Sequence, residues 1–265
     1  MTTEPRARFP WGLTLACIPA LILLLSLGVW QVQRLQWKEA LIAESEAAAE
    51  APPIDIRGFA MGGPTEFGRL VLTCRGLDTA PYVELQTIHE GQPGVRLISL
   101  CNSETYRLGG ETHSQSFLID RGFIPEGVSA RPTQQVTEKA VIMTAQLRTP
   151  PPASGMIPPP EGRRFYARDT PAMSGILARD YEQADALRSL GRLETRYILY
   201  AATSSNPEWP ALQPSAPPAA FSNNHLGYAM TWFGLALALV GFYIALLRRK
   251  PRAPTPSDDT GKNAL

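Results

Sequence analysis

Two long apolar runs sit near opposite ends of the chain, and between them hydrophobic and polar positions mostly alternate. Trp11 to Trp30 is apolar apart from Thr14 and Ser26, about the 20 residues that a helix needs to cross a roughly 30 Å hydrocarbon core. Pro19 alone argues against a plain helix there. Proline is tolerated in membrane helices when neighbouring groups satisfy the freed carbonyl, so it reads as a kink or packing position. The second run begins at Asn223-Asn224-His225-Leu226-Gly227-Tyr228-Ala229-Met230-Thr231-Trp232-Phe233 and continues to Leu247, with Arg248, Arg249, Lys250 and Arg252 behind it. The pattern predicts transmembrane helices over 11–32 and 225–247. Helical periodicity also continues beyond the first span. Trp30, Arg34, Trp37 and Leu41 recur at i, i+4, i+7 and i+11, one face of a helical extension over 33–50 that Pro52-Pro53 ends. Gln31, Gln33 and Lys38 fall elsewhere around that helix.

From Ile54 the period shortens. Ile54-Asp55-Ile56, Arg69 to Arg75, Tyr82 to Ile88, Val95 to Leu100, Gln115 to Pro125 and Val136 to Arg148 read as strands, with a turn at Gly91-Gln92-Pro93-Gly94. Pro150-Pro151-Pro152 and Pro158-Pro159-Pro160 bracket a segment that cannot be a central strand, because proline donates no ladder hydrogen bond. Ser174 to Leu190 has a helical pattern through Ile176, Leu177, Tyr181, Ala184 and Leu187, and Thr195 to Thr203 reads as a last strand. The predicted organisation is a membrane protein in which two transmembrane helices flank a mainly-β (α+β) extracytoplasmic domain over 51–205. A Pro-rich connector over 206–224 returns to the membrane.

Charge orients this arrangement. Arg6 and Arg8 precede the first span and four basic residues follow the second, so the segments 1–10 and 248–265 are expected in the cytoplasm. Arg34 and Lys38 stand on the opposite side, but they are fewer and lie on the continuing helix. A cleaved signal is the alternative for the first span, with Ala47-Ala48-Ala49 as small residues downstream. The charged stretch Gln31 to Glu46 intervenes, and the apolar run exceeds the usual length of about 7–15 residues. The N-terminus lacks the Arg- and Ser-rich amphipathic character of a transit peptide, which points to a bacterial inner membrane with the central domain in the periplasm. Twenty-five basic residues balance 24 acidic ones without a basic stripe, so no nucleic-acid partner is expected. Cys17 lies in the first span, where a thiol acts as a small apolar group. An oxidising compartment would let Cys74 and Cys101 pair, but spacing alone does not show that their Cα atoms approach. Neither has a second Cys or His at metal-ligand spacing.

The chain has no Gly-x-Ser-x-Gly elbow, phosphate loop, His-Glu-x-x-His or Cys-x-x-Cys, and no enzyme activity is expected. His89 and His113 sit in turn-like polar surroundings and read as solvated loop residues. Asp120 and Asp169 read as turn or salt-bridge residues. His225 is different, because it stands where a polar stretch enters an apolar helix. Tyr228, Ala229 and Trp232 follow it at three, four and seven residues, on its face, and Asn223 and Asn224 can cap the helix start. A neutral imidazole there can donate from one nitrogen and ligate a metal such as haem iron with the other. It can equally serve as an interfacial histidine bonded to lipid headgroups.

The run at 223–233, together with Leu27-Gly28-Val29-Trp30-Gln31-x-x-Arg34-x-x-Trp37-Lys38, resembles the membrane-flanking signatures of the Surfeit-locus (Shy-type) family of cytochrome c oxidase assembly factors. Asp120-Arg121-Gly122-Phe123-Ile124-Pro125 is similar to that family's Asn-Arg-Gly-Trp-Val-Pro strand end, with Asp120 and Phe123 as departures. Phe165-Tyr166-Ala167-Arg168-Asp169 with Met173 resembles its aromatic–Asp–Met stretch, whereas the family's usual Thr-Pro is absent around Ser99-Leu100. The resemblance implies a factor for aa3-type oxidase that receives haem a and assists its insertion into cytochrome c oxidase subunit I. Haem A synthase and the lipid bilayer are the further implied partners. On that reading His225 ligates the haem iron, Tyr228, Trp232 and Trp30 lie against the ring, and Arg34 pairs with a propionate. Two rival readings stay open at this point. One is a membrane scaffold holding subunit I or haem A synthase without itself binding haem, and the other is a tethered enzyme acting through an acid pair.

Overall fold

The computed structural model describes residues 10–63, 66–150, 157–186, 190–216 and 223–248. The basic flanks Arg6, Arg8, Arg249, Lys250 and Arg252, together with Pro151, Pro152, Leu187 and residues 217–222 of the connector, lie outside the described residues. The chain divides into a helical unit, reaching to Ala40 and resuming at Ala220, and a β-rich unit over Leu41–Ala219. Helix α1 (Trp11–Glu50) runs without interruption through Pro19, and its residues from Leu41 belong to the β-rich unit.

In the β-rich unit, the alternation at Ile54-Asp55-Ile56 does not become a strand. Ile54 makes a single parallel bridge to Leu70, and the Asp55 carboxylate accepts the Gly58 N–H at 2.7 Å, capping the short helix α2 (Ile56–Ala60). Strands β1 (Arg69–Arg75), β2 (Tyr82–His89) and β3 (Gln92–Asn102) follow, then a small hairpin of β4 (Tyr106–Leu108) and β5 (Glu111–His113). Next come β6 (Gln115–Pro125), β7 (Ala140–Arg148) and β8 (Arg164–Phe165). Helix α3 (Thr170–Gln183) is capped by Asp169, which accepts the Ala172 N–H at 3.0 Å, and β9 (Arg192–Ala201) completes the unit. Helix α3 thus begins four residues earlier than the apolar spacing implied and stops at Gln183. The seven-stranded sheet has the order β1-β7-β9-β6-β3-β2-β8, with β9 parallel to β6 and antiparallel to β7.

Strands β1 and β3 stand four places apart in that order, yet Cys74 and Cys101 are joined by a disulfide with Cα atoms 5.0 Å apart. Cys74 also bridges to Ser103, and the Glu104 N–H donates to Thr73 O at 3.1 Å. The sheet must therefore curl until its β1 edge meets β3. Inside the curl lie Leu70, Leu72, Phe117, Ile119, Met143 and Leu199, with Phe59 of α2 set edge-on to Phe117 at 5.6 Å. Between the sheet and α3 lie Leu85, Ile98, Leu118, Phe165, Met173 and Leu177. Replacing Cys74 and Cys101 by Ala is expected to cost roughly 3 kcal/mol, since the bridge closes a 27-residue separation. Denaturant unfolding of the full chain with and without reductant measures this. Wild type plus reductant should match the double variant.

The first part of the expected connector is pinned to this unit. The Phe123 N–H donates to Gln213 O at 2.8 Å, the Gln213 N–H returns to Phe123 O at 2.9 Å, and Leu212 is buried with Ile124 and Val95. That approach explains Gly122, whose φ is 137° and where any Cβ would lie 2.4 Å from Gln213 O.

The helical unit pairs α1 with α4 (His225–Arg248), two helices each with a stretch long and apolar enough to cross a membrane. Their outward faces carry Ile22, Leu25, Val29, Met230, Leu237 and Phe242, all exposed and apolar, as a lipid-solvated surface requires.

Candidate functional site

The seam between α1 and α4 is set by small residues. Gly28 on α1 and Ala229 and Ala236 on α4 are buried, and a Cβ on Gly28 would stand only 2.6 Å from the Phe233 ring. Close approach of two backbones through small residues is how membrane helices gain packing energy where no hydrophobic drive exists. Gly28→Leu is therefore expected to separate the pair, and Phe233→Ala in the same chain to restore it. Disulfide trapping across the seam reads out both.

Polar groups tie the seam at both ends. Thr14 Oγ1 and the Tyr243 hydroxyl are hydrogen-bonded at 2.7 Å, and His225 Nδ1 lies 2.6 Å from Gln31 Oε1. The 17-residue rise from Thr14 to Gln31 spans about 26 Å at about 1.5 Å per residue, close to the thickness of a hydrocarbon core. Gln31 is the one buried polar residue of α1 among those described. As the Gln31 amide is placed, its oxygen accepts from Nδ1–H, which in a neutral ring leaves Nε2 with its lone pair. This is the tautomer of a metal-ligating histidine, whose second nitrogen is characteristically held by a carbonyl or carboxylate.

Among the other residues singled out in the sequence, Trp232 is half-buried along the same side of α4 as His225 and Ala229. Tyr228 is 57% exposed and Trp30 52% exposed, so each projects from the flank of the pair and not into the seam. The Arg34 guanidinium lies over the Trp37 ring, 3.8 Å from its centroid, on the exposed side of α1 one turn beyond Gln31. His225 and Trp232 are thus brought to one seam, with Trp30, Tyr228 and Arg34 around its rim. At the start of α4, Asn224 contributes its backbone carbonyl to the Tyr228 N–H at 3.2 Å. Asn223 Oδ1 is buried and finds no partner among the described residues. Gln31 was the residue missed: it stood within the Trp30-Gln31-x-x-Arg34 signature, but helical spacing set it apart from the Trp30 face and a neutral amide suggested no role.

The β-rich unit holds its charges differently. Asp120 is fully buried between Arg96, at 3.2 Å, and Arg168, at 3.1 Å. Burial pushes its carboxyl above the ordinary range while both arginines oppose the shift. Arg121 is also fully buried, donating to Ser205 Oγ at 3.0 Å and Asp78 O at 2.9 Å, and burial lowers its pKa to about 10. A cleft of about 680 Å³ runs past Phe59, Tyr106, Gln115 and Glu194. Glu194 is held there by Arg196 at 3.0 Å; burial raises its carboxyl, and the bonds from Arg196 bring it below the usual range. His113 stacks on Tyr106 at 5.7 Å and His89 lies against Phe123 at 5.1 Å. No group of three or more His, Cys, Asp or Glu able to hold a metal occurs among the described residues.

The profile of the SURF1 family matches residues 18–237, which take in most of α1, the whole β-rich unit and the first half of α4. The chain belongs to the SURF1 family. It is 26% identical to human Surfeit locus protein 1 over 229 residues, covering 80% of this chain and 70% of that protein. With the SURF1-like protein of Rickettsia felis it shares 25% over 232 residues, 85% of this chain and 92% of that one. Mouse Surfeit locus protein 1 is 26% identical over 240 residues. The SURF1 match therefore spans Gln31, His225 and the buried Asp120-Arg121-Gly122 segment of β6 together.

Proposed function

We propose that this protein is an assembly factor for aa3-type cytochrome c oxidase that binds haem a at His225 and assists its insertion into subunit I. The observation that carries the reading is the hydrogen bond from His225 Nδ1 to Gln31 Oε1. It holds the imidazole in the metal-binding tautomer, at the end of an otherwise apolar seam. Membership of the SURF1 family supports the oxidase connection.

The residues present fit such a group. His225 supplies one nitrogen ligand, Trp232, Tyr228 and Trp30 offer aromatic surface at the rim, and Arg34 offers a guanidinium for a propionate. Haem a when bound supplies the redox-active iron that the oxidase needs, and the protein's part is to hold, orient and release it. In this reading the pair spans a bacterial inner membrane with both termini cytoplasmic and the β-rich unit in the periplasm. Subunit I and haem A synthase are its protein partners. Absorbance of the full chain purified from cells that make haem a tests the proposal. A Soret band at close to one haem per chain is expected. A colourless protein that still captures subunit I would replace this reading with that of a haem-free scaffold.

A further inference from the structure

We propose that the groove along the α1–α4 pair also accommodates the farnesyl tail of haem a, whose end enters an apolar cavity on the far side of Phe233 from His225. The inference rests on His225 as the haem site and adds a second recognition element to it. The cavity has a volume of about 100 Å³ and is walled by Cys17, Ile18, Leu21, Leu239 and Val240. The Thr14–Tyr243 hydrogen bond closes one end, and Thr14 Oγ1 also donates to Pro10 O at 3.2 Å, so Tyr243 donates to Thr14 and both hydroxyl protons are used. What remains is a surface that only hydrocarbon satisfies. Apolar cavities of about this size hold small hydrocarbon groups, here the terminal isoprene unit, while the rest of the tail runs along the outer groove of the helix pair, past the point where Phe233 closes on Gly28.

Position favours this occupant. Leu21 stands ten residues from Gln31 and Leu239 fourteen from His225, about 15 to 21 Å along the helices. An extended farnesyl chain added to the half-width of a porphyrin covers that distance. Polarity runs the same way. Arg34 and Lys38 lie one and two turns beyond Gln31 on the side away from the cavity. Haem a carries its tail on the ring edge opposite its propionates, so a single orientation brings the anionic groups to the cationic turns and the tail to the apolar groove. A lipid acyl chain has the same hydrocarbon chemistry and is the competing source.

Titrating the detergent-solubilised full chain with haem a, haem o and haem b tests the inference, because haem o has the tail without the formyl group and haem b has neither. Haem a and haem o are expected to bind within about threefold of each other, and both at least roughly tenfold more tightly than haem b. Filling the cavity with Leu21→Trp or Cys17→Trp should bring the first two down to the affinity of haem b and leave haem b unchanged. Haem a binding alone more tightly would assign the preference to the formyl group and overturn the inference. Equal affinity for all three, lost in His225→Ala, would leave the cavity to lipid acyl chains and overturn the inference while sparing the haem site. A wild-type chain that binds none of the three would overturn both.

Discussion

His225→Ala is expected to leave haem a-producing cells with almost none of the Soret absorbance of the wild type, its haem affinity lowered on the order of 100-fold or more. The estimate follows from removing the ligand itself, since changing only its outer-shell partner in metal sites typically costs roughly 10–100-fold. Gln31 is that partner. Gln31→Leu should fall in the intermediate range, and Gln31→Glu, which can still accept from Nδ1–H, should retain most binding. The graded order separates coordination from helix packing. If the histidine only fastened the helices, Gln31→Leu and His225→Ala would be equally harmful, because each breaks the same bond. His225→Ala also leaves Gln31 without its partner in the seam, a loss of about 1 kcal/mol in model membrane helices. Circular dichroism and gel filtration of each variant check that the pair persists. Added imidazole should restore part of the band to His225→Ala, and a His225→Ala protein with undiminished haem a would rule out the ligand role.

The second large effect lies in the β-rich unit. Asp120→Ala should destabilise it by about 3–5 kcal/mol, the usual cost of removing one partner from a buried ion pair. The substitution leaves Arg96 and Arg168 facing each other across a site from which solvent is excluded. It also removes the acceptor of the Gly122 N–H at 3.2 Å, beside the turn that carries Gln213. Asp120→Asn keeps an acceptor oxygen and should cost less. Asp120→Asn leaves two buried cations without a counter-charge, so combining it with Arg168→Leu should cost less stability than Asp120→Asn alone. Denaturant midpoints of the full chain measure all four forms. An Asp120→Ala midpoint equal to that of wild type would show that the two arginines find other partners.

Much of the architecture was legible from local pattern because its cause is local. The run from Trp11 to Trp30, apolar but for Thr14 and Ser26, must seek hydrocarbon whatever follows it, and the i, i+4, i+7 recurrence of Trp30, Arg34 and Trp37 needs only the helical repeat to place them on one face. Period-two alternation found most strands for the same reason. It misread Ile54-Asp55-Ile56, where one carboxylate capping Gly58 was enough to make a helix. It also set the start of α3 too late, because the caps and prolines that begin a helix are not part of its apolar repeat.

Pairings across long separations were beyond such reasoning, because they depend on how elements dock. Cys74 meets Cys101 only because the sheet curls, Asp120 acquires Arg96 from β3 and Arg168 from the loop before α3, and Gln213 is recruited from a Pro-rich stretch to cover Gly122. The same holds at the candidate site. His225 was conspicuous in the sequence as a titratable ring at the mouth of an apolar helix. The 194 residues separating it from Gln31 concealed the acceptor that fixes its tautomer, and only the packing of Phe233 on Gly28 determines which face of α1 the imidazole meets.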